Sequence, residues 1–492
     1  METSLTSHSK TLKLITMTTT VSEQTKTRKE HDFLGERDIS NEFYYGVQTL
    51  RARENFNITG IPISREPLVI KAFGYVKKAA AMANHELGVL DGKIKDAICY
   101  ACDQLIAGKY IDQFVSDMIQ GGAGTSTNMN VNEVIANIGL EYMGYQKGQY
   151  EHLHPNNHVN CSQSTNDAYP TAFRIALYLK IESFIASLLV VQHAFAAKAA
   201  NFKQVLKMGR TQLQDAVPMT LGEEFNAFAT TIGEDVLRMK EAQKLVTEVN
   251  MGATAIGTGV NAPEGYPELC TKILARVSGL PITLAPDLIE ATPDTGAYVQ
   301  ISGTLKRSAV KLSKICNDLR LLASGPRAGF NEINLPAMQP GSSIMPGKVN
   351  PVIPEAVNQT CYYVIGADVT ITLAAEAGQL QLNVMEPVIG FSIFTSLEYL
   401  TKALYMLQSK CIDGITANEE VCKRHVMNSI GIVTMLNPIL GYETCASIAR
   451  EALKSGKSVQ ALVVEEKKLI TQKKWDEVFS LENLMNPKFI NK

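Results

Sequence analysis

The sequence predicts an all-α, elongated protein built around a long central helix bundle, and three observations carry that prediction. Apolar residues recur at helical spacing over several stretches of about twenty residues. Strand-like alternation is confined to short patches. Polar, glycine-rich segments separate the periodic stretches, as expected for long helices joined near their ends.

Taken in order, residues 1–30 stand apart. They are rich in Ser, Thr and Lys and lack apolar periodicity, so they read as a disordered extension. Thr3 to Ser22 contains no acidic residue, a property of organelle transit peptides, but those are Arg-rich and here Arg28 is the only arginine. The expectation is therefore a plain tail on a cytoplasmic protein, with organelle targeting as the alternative. Pro170–Leu206 reads as a long helix with Pro170 in its first turn. From Leu221, apolar residues fall at Phe225, Phe228, Ile232, Val236 and Met239, which keeps one face apolar for five turns. Thr304–Leu322, Val352–Ala375 and Ser392–Cys411 are further helices. The longest apolar run, Phe184–Val191, contains Ser187 and falls short of the roughly 18–20 residues of a membrane span, so no transmembrane helix is expected.

Composition narrows the function. The 492 residues suggest about three domains. Lys+Arg 47 against Asp+Glu 49 leaves a net charge of −2, which excludes a dominant basic face for nucleic acid and also an acidic disordered chain. Nine cysteines cannot all pair internally; scattered among apolar neighbours, they read as reduced thiols filling the core.

Some motifs mislead. Gly257-Thr-Gly259-Val-Asn-Ala262 has dinucleotide-fingerprint spacing, but Pro263, Gly265 and Pro267 leave no helix to receive a pyrophosphate. Cys99-Tyr-Ala-Cys102 has no second pair to complete a metal site and no βαβ context for redox work. His152, His154 and His158 lack a fourth ligand and regular spacing, so they read as a polar loop. There is no P-loop and no nucleophile elbow.

Four polar segments remain: Gly121–Asn132, His158–Asp167, Gly209–Pro218 and Gly341–Pro351. One such loop reads as a solvated connection. Four of them, each dense in Ser, Thr, Asn and Gln, point to a shared binding site on a helical scaffold. Gly341-Ser342-Ser343-Ile-Met-Pro346-Gly347-Lys348-Val-Asn350-Pro351 offers two hydroxyls, one ammonium and one carboxamide. Gly341 and Gly347 would let the backbone approach a ligand. The donor set suits a carboxylate; a surface turn with a solvated lysine fits the composition equally well.

The stretch GSSIMPGKVNP resembles the signature of the aspartase/fumarase superfamily of lyases. The other three loops resemble that family's remaining site segments, in the same order, and the likeness runs from about Glu36 to the C-terminus. In GRTQLQDA, class II fumarases similar to this chain have His where Gln212 stands. QLQLNVMEPVI from Gln379 and EINLPAMQPGSS around Glu332 are similar to the aspartase form.

The resemblance implies reversible removal of ammonia from L-aspartate to give fumarate, through an aci-carboxylate dianion. The alternatives are a fumarase acting on L-malate and a non-catalytic protein that kept the fold. Ser342 would be the general base, helped by a cation such as Lys348 and by loop N–H groups. Ser343, Thr125, Ser164 and Thr165 would bind the β-carboxylate and stabilise the dianion. Thr211, Lys348 and Asn350 would bind the α-carboxylate, and Asn166 and Gln212 would face the amino group. Glu355, which partners that His in fumarases, would be a plain first-turn carboxylate here. The resemblance also implies a homotetramer with a core of bundled central helices and each site built from three subunits. No cofactor is implied, although divalent cations activate some relatives, and no metal ligand set stands out. By resemblance, an N-terminal domain spans 31–166, a central bundle 167–421 and a small helical domain 422–492.

Overall fold

A computed structural model describes residues 27–485. The chain opens with an antiparallel hairpin of β1 (Thr27–Asp32) and β2 (Gly35–Ser40), in register from Thr27↔Ser40 to Asp32↔Gly35. The expected extension is thus corrected at its end: residues 27–30 are strand. Arg28 is the reason. Its guanidinium donates to the carbonyls of Ser40, Phe43 and Tyr45 and pairs with buried Glu30 at 2.7 Å. The rest of that expectation falls on residues 1–26, outside the described residues.

Four helices follow: α1 (Val47–Asn55), α2 (Pro67–Glu86), α3 (Gly92–Ile106) and α4 (Thr125–Tyr142). Gly121–Asn132 is a loop only to Gly124; Thr125–Asn132 forms the first turns of α4. Asn128, Asn130 and Asn132 are buried there, and the amino group of each donates to a partner. Asn130 Oδ1 also accepts from the Val115 N–H at 3.0 Å.

Next comes α5 (Thr165–Asn201), 37 residues and so about 55 Å long. It starts before Pro170, which lies inside the helix rather than in its first turn. Proline cannot donate to the carbonyl four residues back. That carbonyl, of Asn166, accepts instead from Asn250 Nδ2 at 3.0 Å. By length and composition α5 could cross a membrane, a property the interrupted run around Ser187 hides; in the fold it packs against α2 and two bundle helices introduced below.

Gly209–Pro218, expected as a loop, is a β-hairpin of β3 (Leu206–Thr211) and β4 (Gln214–Thr220). α6 (Leu221–Gln243) begins at a capping box between Thr220 and Glu223, and the six apolar positions read from the sequence are all buried. Then follow β5 (Glu248–Val249), α7 (Tyr266–Ser278), β6 (Thr283–Leu284), parallel to β5, and α8 (Leu288–Ala291). α7 starts only at Tyr266, well after the Gly257–Ala262 motif. α9 (Gly296–Leu322) extends its predicted stretch by two turns at the N-terminal end. β7 (Ile333–Asn334) leads to α10 (Val352–Glu376) and α11 (Glu386–Lys410), close to their predicted spans. β8 (Thr416–Ala417) pairs with β7. α12 (Glu419–Asn428), α13 (Asn437–Leu440), α14 (Tyr442–Ser455), α15 (Gln472–Val478) and α16 (Leu481–Met485) complete the described chain.

Cross-contacts fix the direction of each bundle helix. α5 and α6 are antiparallel: the Gly222 N–H donates to Phe202 O at one end, and Gln243 Nε2 to Tyr178 O towards the other. α9 and α10 are antiparallel, with Ser302 bonded to Asp368 and Asn358 to Ser313. Arg307 of α9 pairs with Asp235 of α6 at 2.7 Å. α11 runs parallel to α5: the Phe173 and Phe394 rings lie 5.2 Å apart, and Lys198 reaches Ile415 O just past α11. The first end of the bundle therefore holds the starts of α5, α9 and α11. The second end holds the starts of α6 and α10.

One apolar core runs from Tyr45 to Cys422 and joins α2–α4 to the bundle. A second unites Leu206 and Met208 of β3 with Val426, Leu436, Trp475 and their neighbours. The hairpin is thus carried by the C-terminal helices. All nine cysteines are unpaired and seven are buried.

Candidate active site

At the first end the N-termini of α4 and α5 come together. Gly124 precedes α4 at φ +90°, and a Cβ there would lie 2.4 Å from the Tyr169 ring, so only glycine lets the chain turn into the helix over that ring. Thr125 opens α4, is exposed, and donates to Gly122 O at 2.7 Å. Ser164 caps α5 in a capping box with Asp167. Its Oγ accepts from the Asn166 N–H at 3.2 Å, which leaves its proton free to donate. Thr165 Oγ1 accepts from Asn128 Nδ2 at 3.2 Å, and this bond ties the first turn of α5 to that of α4. Two helix dipoles then present positive ends side by side, a ready site for a carboxylate. Asn166 donates its amide to Ala255 O at 2.8 Å, so its oxygen is the group left to accept from an ammonium.

Sequence reasoning missed the supports beneath this end. Asp167 is fully buried and accepts from the N–H groups of Ser164, Gly252 and Thr254; burial still pushes its carboxyl up to about 6. Lys77 is completely buried as well, and the Asp167 charge acts on its ammonium. Neither is singled out in the sequence, where Asp167 only ends a polar segment and Lys77 stands next to Lys78. His154 and His158 are occupied locally, as acceptors for backbone N–H groups of residues 154, 156 and 157. No group of three His, Cys, Asp or Glu among the described residues is placed to hold a metal.

The second end carries the other two segments. Gln212 (φ 55°) and Leu213 (φ 62°) form the tip of the β3–β4 hairpin, and Thr211, Gln212 and Leu213 are exposed. The base of the hairpin is held by charge. Arg210 pairs with fully buried Glu332 at 2.7 Å and lies over the Phe330 ring, while Lys207 sits 2.9 Å from Glu224 and 3.6 Å from Glu332. His425 of α12 meets the same carboxylate at 3.1 Å. Arg210, Lys207 and the His425 hydrogen bond hold Glu332 below the usual carboxylate range despite its burial.

The loop 341–350 closes on itself. The Gly341 N–H donates to Lys348 O at 2.7 Å, and Asn350 Nδ2 to Gly341 O at 2.6 Å. A Cβ on Gly341 would meet Lys348 O at 2.6 Å. Gly341 therefore serves the loop's own closure rather than a ligand, whereas Gly347 (φ +79°) faces open space. Ser342 Oγ accepts from the N–H groups of Ile344 at 3.1 Å and Met345 at 2.9 Å. Ser343 and Lys348 are exposed. Glu355 lies in the first turn of α10.

The structure thus brings Thr125, Ser164, Thr165 and Asn166 together at one end of the bundle. It leaves Thr211, Gln212, Ser342, Ser343, Lys348 and Asn350 at the other, the length of a bundle helix away. A concavity of about 1010 Å³ along α6 and α9, lined by Arg174, Arg238 and Arg307 among others, contains none of these ten residues.

Residues 35–366 match the family model described as Lyase, and residues 432–486 match Fumarase C C-terminus. The aspartate ammonia-lyase of Helicobacter pylori is 60% identical over 460 residues, covering 94% of this chain and 98% of that protein. The aspartate ammonia-lyase of Escherichia coli is 57% identical over 463 residues, covering 94% and 97%. Among solved structures, a fumarate lyase:delta crystallin from Brucella melitensis bound to cobalt superposes with a TM-score of 0.90 at 51% identity, covering 93% of this chain and 99% of that one. A class II fumarase from Schistosoma mansoni does so at 0.88 and 33%, covering 94% and 100%.

Proposed function

Because the chain belongs to the aspartase/fumarase superfamily of lyases, we propose that it catalyses the reversible deamination of L-aspartate to fumarate and ammonia. The observation that carries this reading is the 57–60% identity, over 94% of the chain, to proteins of that activity.

The residues support a specific course. The β-proton of aspartate becomes removable when the adjacent carboxylate takes up the resulting electron pair as an aci-carboxylate dianion. Catalysis therefore consists of placing donors where that second charge develops. At the first end, Thr125, Ser164 and Thr165 supply hydroxyls over two helix N-termini, and Ser343 joins them from another subunit. Ser342 takes the proton. Its oxygen already accepts two backbone N–H bonds, and those favour the alkoxide over the neutral hydroxyl. Thr211, Lys348 and Asn350 bind the α-carboxylate. Collapse of the dianion then expels the amino group, which leaves as ammonia because the substrate amine is protonated. Asn166 and Gln212 offer amide oxygens to that ammonium, where a cationic His would repel it.

The site is completed by assembly. One chain holds the two halves at opposite ends, so a working site needs a second chain placed head to tail and, in the tetrameric arrangement, a third. The outer face of α10 supports this: Tyr362, Tyr363, Val369 and Leu373 are exposed on a helix with few charged residues. No cofactor enters the scheme. Divalent-cation activation belongs to the reading by likeness, and no step is routed through a metal. A cytoplasmic protein handling a small dicarboxylate, with no nucleic-acid or membrane partner, fits the balanced charge.

The test follows fumarate by its ultraviolet absorbance, with L-aspartate and L-malate in separate cuvettes. Fumarate from aspartate alone is expected. Fumarate from malate alone would make the protein a fumarase and Gln212 a poor discriminator. Signal from neither, with the assembly intact, would favour the non-catalytic alternative.

A further inference from the structure

Lys77 is fully buried in α2, and among the described residues no carboxylate lies within ion-pair distance of its ammonium. Its three protons go to three side-chain amide oxygens: Asn128 Oδ1 at 2.7 Å, Gln163 Oε1 at 2.9 Å and Asn160 Oδ1 at 3.0 Å. Burial pushes the amine down to about 7, and the negative charge of Asp167 works against that shift. A buried cation bonded only to neutral amides is an expensive way to join elements, since a neutral side chain would avoid the desolvation cost.

The ammonium also dictates orientation. It has donors only, so each amide must turn its oxygen inwards. With Oδ1 fixed on Lys77, the Asn128 amino group donates one proton to Asn160 Oδ1 at 3.1 Å and the other to Thr165 Oγ1 at 3.2 Å. That hydroxyl, its oxygen already accepting, has its own proton left to give. A bond donated by an amide polarised by a cation is stronger than one from a free amide, and the polarisation passes along the chain. Lys77, Asn128 and Thr165 therefore form a line from a buried positive charge to the helix N-termini at which a carboxylate would lie.

Resting on the lyase reading above, we propose that Lys77 is a positioning residue for the reaction. It acts through Asn128 to set the Thr165 hydroxyl as a donor to the developing dianion. A ground-state carboxylate gains little from this, because its charge is already met by the other donors; the second charge of the aci-carboxylate gains most.

The test uses the full-length protein and two variants, Lys77→Met and Asn128→Leu. Each is assayed for kcat and KM with L-aspartate. Inhibition is measured with succinate, a ground-state dicarboxylate, and with the nitronate of 3-nitropropionate, whose planar charged group copies an aci-carboxylate. We expect kcat and nitronate affinity to fall together by about 10- to 100-fold in both variants, with KM and succinate affinity changed less than about threefold. A kcat within threefold of wild type in either folded variant would overturn the proposal. So would succinate affinity falling as far as nitronate affinity, the pattern of general loosening. If Lys77→Met does not fold, Asn128→Leu decides alone; failure of both to fold would make the network purely structural. Wild-type protein that makes no fumarate from aspartate would instead defeat the lyase reading itself.

Discussion

Under the proposed mechanism Ser342 is the base, and two converging N–H groups within its own loop are placed to favour its alkoxide. Ser342→Ala should therefore keep the assembly, seen by its elution volume, while turnover drops by about 10²- to 10⁴-fold. Undiminished turnover would remove Ser342 from the chemistry. Residue-scale electrostatics also predicts a pH effect at the first end. Glu386 is fully buried at the start of α11, and burial pushes its carboxyl up to about 8, with Arg174 opposing. The folded state thus binds a proton between the ordinary carboxylate range and about 8 that the unfolded chain does not. The stability this lends is present at acid pH and lost as pH rises through about 8. Glu386→Gln copies the protonated form. Its urea midpoint should gain on wild type as pH is raised from about 5 to about 9; a constant difference would contradict the assignment.

Single bonds at helix ends decide where the elements begin. α5 passes through Pro170 because Asn250 replaces the missing donor to Asn166 O. Asn250→Ala should cost about 1–3 kcal/mol in a denaturant titration, and much less in a Pro170→Ala background where the backbone N–H returns. Equal costs in both backgrounds would refute the compensation. The same bond explains a boundary that the sequence misplaces: proline suggests a first turn, and only a residue eighty-four positions away permits an earlier start. α6 and α10 were legible because one apolar stripe runs their full length and cap residues or prolines mark their starts. The β3–β4 hairpin was not, since its strands alternate poorly and its register rests on Arg210, Lys207 and Glu332, which are distant in sequence. Within the site, residues of the polar segments such as Ser342 and Gln212 stood out by composition and likeness. Buried supports did not: Asn128 lies in a segment read as a loop and Lys77 is not singled out, because sequence patterns do not reveal a polar side chain satisfied by partners on other elements.

For the whole molecule, the antiparallel bundle is what matters most. A helix of about 55 Å separates Ser164 from the hairpin that carries Gln212, and the loop of Ser342 enters α10 at that same far end. On the proposed reading the chain carries two half-sites on one rod, and activity belongs to the assembly rather than to the fold of one subunit. Complementation tests this most directly. Ser342→Ala damages only the second end and Thr165→Val only the first, and each pure variant should be nearly inactive. When the two are unfolded together and reassembled in equal amounts, some sites draw an intact first end from one chain and an intact second end from another. Random mixing predicts activity returning to about a quarter of wild type. Mixed assemblies, verified by a mass tag on one variant, that stay as inactive as their parents would contradict a site shared between subunits.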